Sequence, residues 1–233
     1  MNTNKNNSAC FALGVSDFST SEPLLNAQTI IECGMDFIEP GLAKIAGMSD
    51  EDFEKALKHI KEHKIRVQSV NWFLPPEIKV TGPNVDPAAS RQFLEHALAR
   101  ATTLGAQAVV FGSPGSRTLP AGFSPDEGRQ QMIAFCRMCS DVIREHDWQI
   151  RIAVEHVNHT VMLEAGDLIC AVQLADPDSR YFPRPGAAIP GLDQFFSMLI
   201  EIGYSGGVSV EATVGDDLTA DCRGAVERLK QCF

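Results

Sequence analysis

The chain has 233 residues, 44% of them hydrophobic, enough for one large core that buries roughly 70–75% of the surface its unfolded form would expose. Its formal net charge is −10, with Lys and Arg scattered singly, so there is no basic stripe to neutralise a phosphate backbone and no nucleic acid is expected as a partner. No apolar run approaches the roughly 20 residues of a membrane span, and seven irregularly spaced cysteines suit a reducing compartment better than a disulfide framework.

Residues 1–9 are polar and Asn-rich, without the apolar core of a signal peptide; they read as a loose tail, leaving 10–233 as a single domain of a cytoplasmic protein with no membrane partner. From there, short apolar runs end near Val15, Glu39, Asn71, Phe111, Glu155, Gln173 and Glu211, and most are followed by a helix opener and a periodic apolar segment. Ser49 with Asp52 precedes the segment from Phe53 to His63, Asp86 with Pro87 opens the one reaching Leu104, and Ser124-Pro-Asp-Glu127 combines a capping box with proline at the first helical position. The repeating unit is strand then helix, which implies a parallel sheet. The polar residues at several strand ends favour a (β/α) TIM-type barrel over a doubly wound sheet, and no Gly-x-Gly-x-x-Gly follows the first strand.

Seven strand ends are found where a (β/α)8 barrel needs eight. Successive ends lie 24, 32, 40, 44, 18 and 38 residues apart, and the 18 is the outlier. Between Glu155 and Ile169 there is room for about one crossover and too little for two helices with a strand between them. The expectation is a barrel lacking one βα unit there, the sixth strand with roughly one helix. A gap of that kind exposes strand edges that a loop, a neighbour or a second copy in a homo-oligomer would have to cover.

Glu155 and Glu211 each end an otherwise apolar run, in Ile-Ala-Val-Glu and Val-Ser-Val-Glu, and so belong at the carboxyl ends of parallel strands, where such barrels keep their chemistry. A capped or salt-bridged strand end is the alternative for either, and the active-site reading is preferred because both residues terminate otherwise apolar runs. Gln173 is equally readable as a ligand and as a hydrogen-bonded core amide, and Arg180 as a binder of a distal hydroxyl, carboxylate or phosphate and as a solvated loop arginine. Asn71 and Trp72, just past the third strand, could cover a small polar ligand or merely pack on the rim, and His156 could line the mouth. Glu39 ends the second strand and could reach the pocket or merely brace it, bracing being the preferred reading. Gly112 to Arg117 could offer backbone amides to an anion or form a tight turn, and Cys136-Arg-Met-Cys139 falls inside a helical pattern with no second pair to complete a zinc site.

The strand-end glutamates, Glu155-His-Val-Asn158, Val172-Gln-Leu-Ala-Asp176 followed by Arg180, and Ile202-Gly-Tyr-Ser-Gly-Gly-Val-Ser-Val-Glu211 resemble the xylose-isomerase-like TIM barrels, within them the sugar phosphate isomerase/epimerase and hydroxypyruvate isomerase group. The resemblance runs from Phe11 to Phe233 and implies a divalent ion, magnesium or manganese first, cobalt or zinc otherwise, held by Glu155, Gln173 and Glu211. Some relatives have histidine in place of Gln173. The fourth ligand, an aspartate, would lie on the strand that is not found, and Ala171 replaces a histidine that relatives often carry.

The resemblance implies isomerisation or epimerisation of a small sugar or hydroxy-carbonyl substrate, by proton transfer through an enediol with Glu155 and Glu211 as catalytic carboxylates. The missing strand implies weak ion binding and impaired turnover. The competing expectation is a degenerate, inactive barrel that keeps at most a binding role. A third class, the related apurinic endonucleases, needs a histidine-rich zinc cluster and a basic groove, against which stand six histidines and an acidic chain.

Overall fold

The computed structural model describes residues 11–18, 21–155, 172–175, 179–186 and 189–233. In chain order these form β1 (Ala12–Ser16), α1 (Ala27–Glu32), β2 (Phe37–Glu39), α2 (Leu42–Ala46), α3 (Asp50–Glu62), β3 (Ser69–Val70), α4 (Pro87–Leu104), β4 (Ala108–Phe111), α5 (Pro114–Arg117), α6 (Pro125–Glu145), β5 (Arg151–Val154), β6 (Val172–Leu174), α7 (Leu192–Glu201), β7 (Gly207–Val210) and α8 (Leu218–Leu229). Each of the seven strands ends within one residue of the position its apolar run predicts. Among the described residues no helix is long and apolar enough to cross a membrane. The expected loss of a βα unit falls on 156–171, outside the described residues, as do His156 and Ala171.

The chain divides into two compact units, one from 1–39 with 171–233 and the other from 40–170. In the first, four parallel strands lie in the order β2-β1-β7-β6. Gly14 pairs with Phe37 and Ser209, and Gln173 pairs with Ser209. Leu13, Val15, Ile38, Val208 and Val210 are fully buried on one face. Alternation puts Gly14, Ser16, Phe37, Glu39, Gln173 and Ser209 on the other. Gly14 is required there, because a Cβ would lie 2.3 Å from the Phe37 ring.

In the second unit, β3, β4 and β5 form a parallel sheet in that order. Phe111 of β4 turns toward the helices, its ring 5.4 Å from that of Phe135 in α6 and 5.3 Å from that of Phe73. The helix starts are those the caps predict. Ser49 Oγ accepts from Asp52 N at 3.1 Å, Asp86 Oδ1 from Ala88 N and Ala89 N, and Ser124 Oγ from Glu127 N at 3.3 Å.

Candidate functional site

In the first unit the polar face of the sheet is organised around a buried carboxylate. Glu39 ends β2 with no exposed surface, and its Oε1 accepts from Ser16 Oγ at 2.7 Å, Ser209 Oγ at 3.2 Å and Gln173 Nε2 at 2.5 Å. A carboxylate oxygen that collects three donors is a strong acceptor in a water-poor setting. The carboxylate thus ties together side chains from three other strands. What the sequence did not reveal is that it acts on Gln173, 134 residues away along the chain.

Glu211 lies one residue beyond β7, and its N–H donates to the Leu174 carbonyl at 2.8 Å, which continues the parallel ladder. It therefore shares the polar face with Ser209 and Gln173. Its side chain is 16% exposed, and Oε2 accepts from Arg180 Nη2 at 3.4 Å. The Arg180 guanidinium also lies over the Phe18 ring, 4.7 Å from its centroid, while its backbone holds a left-handed φ of 59°. Arg180 thus faces a strand-end carboxylate, although its own side chain remains 54% exposed.

The approach to Glu211 is built by the Ile202-Gly-Tyr-Ser-Gly-Gly run. Gly203 has φ of 71° and ends α7 in the left-handed conformation, with Tyr204 N returning to the Leu199 carbonyl at 2.9 Å. The Tyr204 ring then folds over Gly206, where a Cβ would stand 2.3 Å from the hydroxyl, and its OH donates to the Gly207 carbonyl at 2.8 Å.

In the second unit Glu155 follows β5, and its N–H donates to the Phe111 carbonyl at 3.2 Å. It sits one step out of phase with the Val154–Phe111 pair, hence on the face opposite the Phe111 ring. Arg117, at the end of α5, is fully buried beside it. Nη2 donates to the Glu155 carbonyl at 2.6 Å, Nε to the Gly112 carbonyl, and the guanidinium lies 5.0 Å from the centre of the Phe111 ring. Burial pulls the Arg117 pKa below its usual value, against the opposing pull of the Glu155 charge and then Cys136. The sequence reading passed over Arg117, treating it only as the end of a glycine-rich turn.

The turn is closed by bonds of its own and of the neighbouring loop. Ser113 is left-handed at φ of 41°, its Oγ accepts from Leu74 N at 2.9 Å, and the amides of Ser116 and Thr118 return to Ser113 and Pro114 carbonyls. Asn71 is buried and Trp72 is 51% exposed. Their carbonyls accept from Leu42 N at 2.7 Å and Ala43 N at 2.9 Å, satisfying the open amino end of α2 and fixing where both residues stand. Cys139 is buried within α6, and burial pushes both its thiol and that of Cys136 toward the neutral form.

Among the described residues no three His, Cys, Asp or Glu side chains gather as an ion site would need. Gln173 falls outside that set of residue types, and it presents a carbonyl oxygen to which no described residue donates, beside a carboxylate on the adjacent strand end. Such oxygen donors fit magnesium or manganese.

A family profile described as "Xylose isomerase-like TIM barrel" matches residues 27–164. The chain belongs to that family. Solved structures similar to this xylose isomerase-like barrel include the 3-keto-D-glucoside 4-epimerase YcjR from E. coli in its apo form, 17% identical over 96% of this chain and 100% of that one, with a TM-score of 0.74. A D-allulose 3-epimerase from Methylomonas sp. in complex with D-allulose gives 17% identity, 96% and 97% coverage and a TM-score of 0.74. An AP endonuclease of family 2 from Brucella melitensis gives 18% identity, 91% and 95% coverage and a TM-score of 0.63. At these identities the likeness establishes the barrel fold. No curated protein sequence matches the chain.

Proposed function

We propose that this barrel is a divalent-ion-dependent isomerase or epimerase of small hydroxy-carbonyl sugars, with turnover impaired by the shortened segment between Glu155 and Ile169. The observation that carries the reading is that Gln173, with its amide oxygen, and Glu211, with its carboxylate, share the polar face at the carboxyl ends of adjacent parallel strands. The likeness to epimerases named for 3-keto-D-glucoside and D-allulose supports the substrate class.

In this reading Glu155, Gln173 and Glu211 would hold the ion, magnesium or manganese ahead of cobalt or zinc. When bound, such an ion polarises the carbonyl and hydroxyl oxygens of the substrate. One of the carboxylates, Glu155 or Glu211, takes the proton from the carbon beside the carbonyl, giving the enediol. The other returns a proton to complete the exchange. Arg180 steadies the Glu211 carboxylate and binds a distal substrate oxygen, and Asn71 and Trp72 cover the ligand; His156 is the further substrate-binding candidate that the family resemblance suggests. The net charge of −10 favours a neutral sugar over a nucleic acid.

The test is solvent deuterium incorporation into a panel of small ketoses and hydroxypyruvate, with Mn2+ or Mg2+ present and after chelation. Ion-dependent exchange, slow and lost in Glu211→Gln, supports the reading. No exchange with any member of the panel leaves the degenerate barrel as the better account.

A further inference from the structure

We propose that Glu39 is a positioning residue that forces the Gln173 amide to present its carbonyl oxygen, and not its NH2, to the ion; this rests on the reading of Gln173 as a ligand. A free glutamine amide can turn over, and only one of its two ends can bind a cation. In this protein the choice follows from a count of protons. The Glu39 carboxylate is an acceptor only, so whatever approaches Oε1 must donate. Ser16 Oγ gives its single proton to Glu39 Oε1 at 2.7 Å, so toward Gln173 it too can only accept.

Both groups facing the amide are therefore acceptors. Gln173 meets them with Nε2, at 2.5 Å from Glu39 Oε1 and 3.2 Å from Ser16 Oγ. Turning the amide over would set its oxygen against a buried carboxylate and a serine oxygen with no proton left to offer. With Nε2 fixed, Oε1 is the end left over, and no described residue donates to it. Ser209 completes the lock from below: its hydroxyl lies 3.2 Å from Glu39 Oε1 and 3.4 Å from the Val172 carbonyl, joining the carboxylate to the strand that bears Gln173.

Burial makes the arrangement rigid. Glu39, Ser16 and Ser209 are each at most 1% exposed, so water does not compete for these bonds. Partners of this kind, which orient a ligand through its other end, typically account for about 10–100-fold in ion affinity.

The experiment follows the Gln173 side-chain amide by NMR, its signals assigned by their absence in Gln173→Ala, together with Mn2+ binding by calorimetry. Both are measured in the full chain, in Glu39→Met and in Glu39→Gln. In the unaltered protein the two amide protons are expected to be well separated and slow to exchange with water. Glu39→Met should bring them to the behaviour of exposed glutamines and weaken Mn2+ binding about 10–100-fold. Glu39→Gln, whose amide oxygen can still accept, should preserve most of both.

In a Gln173→Ala background Glu39→Met should weaken Mn2+ binding no further. Unchanged amide signals in Glu39→Met, or an equal loss of affinity in both backgrounds, would overturn the proposal. Should Glu39→Met fail to fold, the unaltered amide decides, since exchange as fast as that of exposed glutamines would also overturn it. If Gln173→Ala binds Mn2+ as tightly as the unaltered chain, the ligand reading is what fails, and the amide signals still report on Glu39.

Discussion

Arg117 Nη2 reaches the backbone carbonyl of Glu155 at 2.6 Å, so the residue just past β5 is held by a fully buried guanidinium at the end of α5. The same side chain holds the Gly112 carbonyl and lies over Phe111. A strand-end carboxylate with catalytic duties needs a fixed backbone beneath it, because misplacement by about 1 Å can cost roughly 100-fold in rate.

Arg117→Leu should therefore lower stability by about 2–4 kcal/mol, since one buried and one part-buried carbonyl lose their donor and Leu offers none. Arg117→Lys should fall between the two, because a single ammonium cannot reproduce the fork. Urea unfolding measures both. A change within about 0.5 kcal/mol for Arg117→Leu, the size usual for a surface substitution, would show that the guanidinium does not secure the strand end.

Arg180 should behave differently. Its pair with Glu211 is half exposed and long, at 3.4 Å, so Arg180→Ala should change stability by less than about 1 kcal/mol. Its effect should instead be seen in KM for a ketose substrate. A large loss of stability with unchanged KM would make it a structural residue and remove it from the site.

Two helix ends carry a correctable strain. Lys64 and Asp147 sit in the left-handed region, at φ of 53° and 54°, just beyond α3 and α6, and the next residues close the turns through Ile65 N to the Ile60 carbonyl and Trp148 N to the Ile143 carbonyl. Glycine occupies the equivalent place after α4, where Gly105 has φ of 89°. Lys64→Gly and Asp147→Gly should each stabilise the protein by up to about 1 kcal/mol, and Gly105→Ala should destabilise it by a similar amount, all read from urea midpoints.

Stability should also decline in alkali. The Cys222 thiol is pushed up to about 12 from an ordinary 9.0, first by burial and then by Cys33, Asp221 and Asp217. The native state keeps this proton while the unfolded chain releases it. The contribution is thus fully present below pH 9 and is lost as pH rises toward about 12. Unfolding midpoints measured between pH 8 and 11 should fall less steeply in Cys222→Ala than in the unaltered protein, and parallel slopes would refute the assignment.

Much of this architecture was already written in the chain as local pattern. Apolar runs bounded by polar residues placed every described strand within one residue, because a strand buried on both faces must be apolar until it reaches the end of the sheet. Ser49, Asp86 and Ser124 marked helix starts because a cap is a bond between neighbours in sequence. The candidate carboxylates were legible for the same reason, as breaks in apolar runs.

Only the tertiary structure decided what those groups touch. Glu39 and Gln173 are 134 residues apart, and nothing in either segment says that register brings them within 2.5 Å through the strands between them. Arg117 looked like the end of a turn because burial of a guanidinium depends on carbonyls supplied by another strand, which no local pattern reports. The chain's own sequence thus determined which residues stand out as candidates, and the parallel pairing of distant strands determined which of them are held in place.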